Sequence, residues 1–135
     1  MKKLNLNEAT ITAGKTASAA TIVMESTTAE VVGSGSLAVF ATPMMAALME
    51  QAACACLADA LEPGQTSVGT KIDIAHIAAS PVGAEITATA TITAVSGRRI
   101  EFEVVAHEGE KQIGGGKHTR VIVDEMQFMN KLQEK

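Results

Sequence analysis

One carboxylate stands out in this sequence because of the residues around it. Between Pro43 and Ala58 the only charged side chain is Glu50, and the rest of the segment is apolar apart from Gln51. A carboxylate is costly to bury unless it is paired, hydrogen-bonded or protonated, so Glu50 needs an explanation. Its chemistry suits attack on an acyl carbon, activation of a water molecule or orientation of a histidine. The structural alternative is a partnered carboxylate at a subunit interface.

Thr42 and His76 are the two other candidates for catalysis. Thr42 precedes Pro43, and this pair predicts a helix start because Thr can cap a helix and Pro fits its first turn. A helix N-terminus suits a carbonyl oxygen that gains negative charge, and the Thr42 hydroxyl can donate to that oxygen or act as the nucleophile. His76 lies on a predicted strand and suits a general base at neutral pH. A plain cap and a core histidine are the structural alternatives.

Three further residues are candidates for ligand binding. His118 and Arg120 alternate with Thr119 on a predicted strand, so they share one face of a sheet. Arg120 suits a carboxylate, phosphate or carbonyl group, and we predict that His118 binds substrate beside it. Gly69 would let the backbone approach a ligand closely. A solvated arginine and an ordinary sheet glycine are the alternatives.

The element that must position Thr42 and Glu50 is a long helix that is apolar on nearly all sides, which predicts burial. The segment Glu62-Pro63-Gly64 supplies a helix-stop signal. Cys54 and Cys56 lie inside the helix, and we expect both to be small buried side chains. No Cys/His spacing in the chain predicts a metal site.

The rest of the chain reads mainly as β structure. Alternation of apolar and polar residues over 84–95 is typical of a half-buried antiparallel strand, and Ser96-Gly97 predicts a hairpin turn after it. A glycine-rich, flexible stretch is expected at 31–36, and the three glycines at 114–116 predict a bulge or a close backbone approach. The predicted strands are 17–25, 67–79, 84–95, 99–107 and 112–123, and a short tail helix is expected over 124–135.

This order of elements predicts an α+β, hot-dog arrangement in which a curved antiparallel sheet wraps a long buried helix. A chain of 135 residues fits one domain, which we place at 1–135. The sheet covers one side of the helix only, so a second copy of the chain is expected to cover the rest as a homodimer. Thr42 and Glu50 are separated by roughly 12 Å of helix rise, so we expect each site to combine residues of both subunits.

Net charge, aromatic content and the charged residues of the long helix argue against nucleic acids and membranes as partners. The net charge is -4 and the chain has no Trp or Tyr, which argues against nucleic-acid binding. Segment 1–8 has a basic start but no apolar stretch after it, so no signal peptide is expected. The long helix carries Glu50, Gln51 and Asp59, which does not fit a membrane span. We therefore expect a soluble, cytoplasmic protein with no membrane partner.

A set of short motifs occurs in an order that resembles the fluoroacetyl-CoA thioesterase-like family of hot-dog proteins. The resemblance covers the chain from about residue 37 to the tail helix. The motifs are Phe40-Ala-Thr42, Leu48-Met-Glu50, Leu61-Glu-Pro-Gly64, Val68-Gly-Thr70, His76-Ile-Ala-Ala-Ser-Pro81, Gly97-Arg-Arg99, Ala106-His-Glu-Gly109 and Ile113-Gly-Gly-Gly-Lys-His-Thr-Arg120.

The resemblance implies a dimeric enzyme that hydrolyses a short or medium acyl-CoA thioester to the free acid and CoA. It implies catalytic roles for Thr42, Glu50 and His76, and contacts to substrate or CoA for Gly69 and Arg120. CoA is part of the substrate, so no separate cofactor is expected. The chain departs from the fluoroacetyl-specialised member at Val32–Ser36, which has no aromatic residue to close a small acyl pocket. Fluoroacetyl specificity is therefore not carried over.

Two other functions fit the same fold. A non-catalytic dimer that binds acyl-CoA would keep the pocket without turnover. A hot-dog dehydratase or hydratase would use a histidine and a carboxylate near the helix start, and the Thr42-led site argues against it.

Overall fold

The structure is a computed structural model that describes residues 11–134. Segment 1–8, where no signal peptide is predicted, lies outside the described residues. The helices are α1 (Ala29–Val32), α2 (Thr42–Ala58) and α3 (Glu125–Gln133), and one turn of 3-10 helix spans Glu25–Thr27. The strands are β1 (Thr16–Ile22), β2 (Gln65–His76), β3 (Glu85–Ser96), β4 (Arg99–Glu108) and β5 (Lys111–Asp124).

The five strands form one antiparallel sheet in the order β1-β3-β4-β5-β2, and α2 packs against one face of it. The core between helix and sheet is almost entirely aliphatic, with two phenylalanines. Its buried members on α2 are Met45, Leu48, Met49, Ala52, Ala53, Cys56 and Leu57. The predicted α+β arrangement, with a sheet against a long helix, is what the structure shows. In this order the twelve-residue β2 is an edge strand of the sheet.

In strand β3 the alternation of apolar and polar residues matches the observed burial over most of the strand, but not at its end. Ile86, Ala88, Ala90 and Ile92 are buried against the helix, as their alternation predicts. Ala94 continues the same alternation in the sequence but is exposed. The register against β4 shifts between Ile92 and Ala94, so the side chains beyond the shift no longer follow the inward face.

The structure corrects four local predictions. Helix α2 starts at Thr42 itself, with Ala41 as the capping residue and no side-chain cap, so Thr42 is not the cap. The helix ends at Ala58, before the stop signal at 62–64. The stretch 31–36 is not wholly irregular, because its first residues end α1 and Gly33 closes that helix with φ 91°. Cys54 is exposed and only Cys56 is buried.

Within residues 11–134, no helix is long and apolar enough to cross a membrane.

Candidate active site

Thr42 and His76 meet where the start of α2 lies beside the end of β2. The Thr42 hydroxyl oxygen is 2.8 Å from Nδ1 of His76. Phe40 packs edge-on against the imidazole, with ring centroids 6.4 Å apart. Because Thr42 is the first residue of the helix and not its cap, its hydroxyl is free to bond His76. The spacing is that of a nucleophile and its base.

The surroundings of His76 keep its imidazole neutral. Burial lowers the pKa of His76 below its ordinary value of 6.5, and the backbone of Ala78 offsets part of this effect. In the neutral tautomer that carries its proton on Nε2, Nδ1 accepts the hydrogen bond from Thr42. His76 Nε2 is buried and has no hydrogen-bond partner within the described residues. His76 is therefore ready to accept a proton from Thr42 at neutral pH.

A mostly apolar cavity of about 240 Å³ opens beside this pair. Its lining comes from α1, from the segment before α2 and from the residues after β2. The lining residues are Ala29, Ser34, Val39, Phe40, Thr42, His76, Ile77, Ala78 and Ala79. The cavity thus joins an apolar wall to a hydroxyl and an imidazole, which is the combination that an acyl group and its carbonyl require.

Glu50 belongs to a second cluster, two turns further along α2. Its Oε2 accepts a hydrogen bond from Nη1 of Arg120 at 3.2 Å and lies 3.9 Å from Nε2 of His118. The Glu50 side chain is 44% exposed, so it is not enclosed in the core. A Cβ atom at Gly69 would lie 2.5 Å from Oε2. Gly69 therefore makes room for the Glu50 carboxylate.

Arg120 is held by the protein itself. It is 7% exposed, and its Nε donates to the hydroxyl of Ser67 at 2.8 Å. Its Nη2 donates to the Ser67 carbonyl at 3.1 Å, and its Nη1 lies 3.2 Å from Nε2 of His118. Most of the guanidinium donors therefore serve protein atoms, and a ligand contact by Arg120 stays a prediction.

His118 differs from its predicted role. It is 1% exposed, its Nδ1 lies 2.7 Å from the Lys71 carbonyl, and its ring stacks on Phe102. Burial lowers the pKa of His118; the Lys71 carbonyl partly offsets this effect, Arg120 adds to it and Glu50 opposes it. A side chain this enclosed does not fit the prediction that His118 contacts substrate. It serves as a neutral acceptor for Arg120 instead.

Sequence reasoning missed Ser67, which contacts the guanidinium at two points. The observation that identifies Ser67 is structural: Gly69 pairs with Arg120 across β2 and β5. Ser67 is two residues before Gly69 on the same strand, so it shares that face of the sheet. Without the register between the two strands, Ser67 is only an ordinary strand serine.

The two clusters stay apart within one chain. Thr42 and Glu50 are separated by roughly 12 Å of rise along α2, as the sequence predicts, and each is bonded to a different strand residue. Both lie toward a side of the helix that this chain leaves uncovered. The exposed residues there are Thr42, Pro43, Gln51, Cys54, Ala55 and Ala58. Among the described residues, no group of three or more His, Cys, Asp or Glu side chains is placed to hold a metal ion.

Comparison with known proteins gives consistent results. The family model described as fluoroacetyl-CoA-specific thioesterase matches residues 23–126. The fluoroacetyl-CoA thioesterase of Streptantibioticus cattleyicolor is 43% identical over 97 residues, which are 72% of this chain and 70% of that protein. A solved structure of a fluoroacetyl-CoA thioesterase is 35% identical with a TM-score of 0.85, and covers 92% of this chain and 96% of its own.

A thioesterase-superfamily protein of Thermus thermophilus is 26% identical with a TM-score of 0.84, and the match covers 91% of each chain. Together with the fluoroacetyl-CoA thioesterase structure, this likeness confirms the predicted hot-dog fold.

Proposed function

The chain belongs to the fluoroacetyl-CoA-specific thioesterase family, and from this membership we propose that it hydrolyses an acyl-CoA thioester to the free acid and CoA. The observation that carries the proposal is the hydrogen bond between Thr42 and His76 at the edge of an apolar cavity. CoA enters as part of the substrate, and we propose no separate cofactor.

The proposed first step is acyl transfer to Thr42. His76 accepts the hydroxyl proton while Oγ1 bonds to the thioester carbon, the carbon–sulfur bond breaks, and the CoA thiolate receives the proton from His76. The carbonyl oxygen gains negative charge at the N-terminus of α2, where the dipole favours it. The backbone N–H of Thr42 has no hydrogen-bond partner among the described residues, so it is available as a donor to that oxygen.

The proposed second step is hydrolysis of the Thr42 ester by water. Glu50 accepts a proton from the water molecule, whose oxygen bonds to the ester carbon as the bond from that carbon to Oγ1 of Thr42 breaks. The proton then passes from Glu50 through His76 to Oγ1, so that all three side chains return to their starting protonation states. Glu50 is too far along α2 to act on Thr42 of its own chain. We therefore propose that the Glu50 of a second copy serves this step, in a homodimer.

The size of the cavity favours a substrate larger than fluoroacetyl. The cavity has a volume of about 240 Å³ and is open to the surface of this chain. An acetyl or fluoroacetyl group would contact only part of its apolar wall, whereas a longer acyl chain would contact more of it. Ser34 lines the cavity at a position where no aromatic ring reduces its volume. We propose an aliphatic acyl group of short to medium length.

Release of free CoA thiol from a panel of acyl-CoAs tests this function. The panel runs from acetyl and fluoroacetyl to butyryl, branched, hexanoyl and phenylacetyl groups, with wild type beside Thr42→Ala and Glu50→Gln. We expect one class of acyl group to be cleaved well, and each substitution to lower its rate by at least about 100-fold, roughly 3 kcal/mol of transition-state stabilisation. Ser18→Ala, on β1 at the edge of the sheet opposite β2, is the matched control and should keep the wild-type rate.

Two results would contradict the proposal. Tight binding of acyl-CoA without release of thiol would identify a non-catalytic binding protein. Addition of water to an enoyl-CoA, with the thioester intact, would identify a hydratase.

A further inference from the structure

We propose that Ser67 is a positioning residue for Glu50, and that it acts through Arg120 with His118 as the second support. The inference rests on the proposed function, because it concerns how Glu50 is oriented for hydrolysis. It is carried by a chain of hydrogen bonds that runs from the backbone of β2 to one oxygen of the Glu50 carboxylate.

The first part of this chain is the contact between Ser67 and Arg120. The Ser67 hydroxyl accepts from Nε at 2.8 Å and the Ser67 carbonyl accepts from Nη2 at 3.1 Å. Two bonds from one residue to one edge of a planar guanidinium fix both its position and the orientation of its plane. Arg120 is almost fully buried, so water does not compete for these bonds.

The second part is His118, which supports Nη1 of the same guanidinium. Its Nδ1–H donates to the Lys71 carbonyl, so Nε2 is left as an acceptor that faces Nη1 at 3.2 Å. Stacking on Phe102, with ring centroids 6.0 Å apart, fixes the plane of the imidazole. One Nη1 hydrogen is thereby directed to His118, and the other is directed to Oε2 of Glu50.

The result is a carboxylate with one oxygen anchored and one oxygen available. Oε2 is bonded to Arg120, whereas Oε1 makes no hydrogen bond within residues 11–134. A general base must present a lone pair to water in a fixed direction, and a surface glutamate on a helix would otherwise sample several rotamers. The absence of a side chain at Gly69 allows the carboxylate to occupy this position.

The Ser67 hydroxyl can be removed without disturbing the sheet. The Ser67 backbone is paired with Ile122 across β2 and β5, and this pairing does not involve the side chain. Within residues 11–134, the hydrogen bond of this hydroxyl is the one that it accepts from Nε of Arg120. Ser67→Ala therefore deletes one contact to a charged group, and Ser67→Thr keeps the oxygen.

The test compares kcat and KM of Ser67→Ala, Ser67→Thr and the control Ser18→Ala, whose hydroxyl bonds Thr89 at the opposite edge of the sheet. We expect Ser67→Ala to lower kcat about 10-fold, the size of one hydrogen bond to a charged group, with little change in KM. Ser67→Thr should restore most of the rate, and Ser18→Ala should not change it. In a Glu50→Gln background, Ser67→Ala should have no further effect.

Two kinetic results would overturn the inference: an unchanged kcat in Ser67→Ala, or an equal loss in the Glu50→Gln background, which would show a role independent of Glu50.

NMR gives a readout that does not depend on turnover. The chain has three arginines, Arg98, Arg99 and Arg120, so few Nε–H signals need to be assigned. The Nε–H of Arg120 should exchange slowly with solvent in wild type and Ser18→Ala, and fast in Ser67→Ala. Fast exchange in wild type would overturn the inference.

A wild type that cleaves no thioester would overturn the proposed function and, with it, a role of Ser67 in hydrolysis. The Arg120 signal would still show whether Ser67 holds the guanidinium, so the two failures can be told apart.

Discussion

Thr42 and His76 lie within proton-transfer distance of each other, since the Thr42 hydroxyl oxygen is 2.8 Å from Nδ1 of His76. The bond exists because the first residue of a helix and the last residue of a strand lie side by side. Each residue alone has an ordinary structural explanation. The contact between them, at the edge of the cavity, is what supports the chemical role that we propose for the pair.

The lowered pKa of His76 predicts a pH profile. Burial favours the neutral imidazole, and the neutral form is the one that accepts a proton from Thr42. kcat/KM should therefore rise with pH through a midpoint below 6.5 and then reach a plateau. Hydrolysis rates between about pH 4.5 and 8 measure this profile.

The midpoint of the rate profile needs an assignment to His76. NMR titration of the His76 ring protons measures the midpoint of this side chain directly. The His76 midpoint should coincide with a limb of the rate profile, and His107→Gln should leave that limb unchanged. A His76 midpoint above 6.5 would contradict the prediction.

At the scale of elements, the glycines of β5 show how tightly the strand is packed on both sides. A Cβ at Gly114 would lie 2.6 Å from the Sδ and Cε atoms of Met45 and 2.7 Å from the Ala75 carbonyl. The register between β4 and β5 also shifts next to this position, between Ala106 and His107. The predicted bulge and the predicted close approach are therefore both present.

Gly114→Ala should destabilise the fold by about 1–3 kcal/mol, because the added methyl group must displace a buried side chain and a backbone carbonyl. Urea unfolding measures this loss. Gly115→Ala is the matched control, since the nearest atom to its Cβ is the amide nitrogen of Gln112, the end of a flexible side chain. Equal losses in both variants would contradict the packing explanation.

The sequence predicted those elements whose signal is local. Helix α2 follows from its apolar composition and Pro43, and β3 follows from its alternation over residues 86–92. The exposure of Ala94 was not predictable, because a register shift depends on the partner strand. The capping role given to Thr42 was wrong for a similar reason: the helix begins at Thr42 with Ala41 as its cap, and the Thr42 hydroxyl bonds His76, which is distant in sequence.

The candidate site was predictable as a set of residues but not as an arrangement. Residue types and the family resemblance named Thr42, Glu50, His76, Gly69 and Arg120. Only the pairing of β2 with β5 shows that Arg120 is directed to Glu50. Ser67 was missed because its contact with Arg120 depends on the same pairing. A ligand role was expected for His118 because alternation along a strand shows which residues share a face, but not whether that face is buried.

For the whole molecule, the edge strand β2 and the uncovered side of α2 are the two elements from which the proposed homodimer would be built. The exposed run of this edge strand, residues 69–73, presents backbone groups with which another strand can pair. Two β2 strands that pair antiparallel about a point between Ile72 and Asp73 would set His76 opposite Gly69 of the second copy. This register would bring the Thr42–His76 pair of one chain to the Glu50 of the other.

Mixing of inactive chains tests this shared site. In a mixture of Thr42→Ala and Glu50→Gln chains, each mixed dimer would regain one intact site, so about one quarter of the wild-type rate should return after subunit exchange. A mixture of Thr42→Ala and His76→Ala chains should stay inactive, because both defects lie on the same half of the site. No recovery in the first mixture would show that each site lies within one chain.

The unequal exposure of the two cysteines has a practical consequence for measuring this association. Cys54 lies on the uncovered side of α2, whereas Cys56 is buried and burial raises the pKa of its thiol. An alkylating reagent should therefore modify separated chains once, at Cys54, and modify paired chains slowly. The rate of that single mass increase, followed across a dilution series, would give the dissociation constant of the dimer from the wild-type chain without any label. A rate that does not vary with protein concentration would argue against a partner on this face.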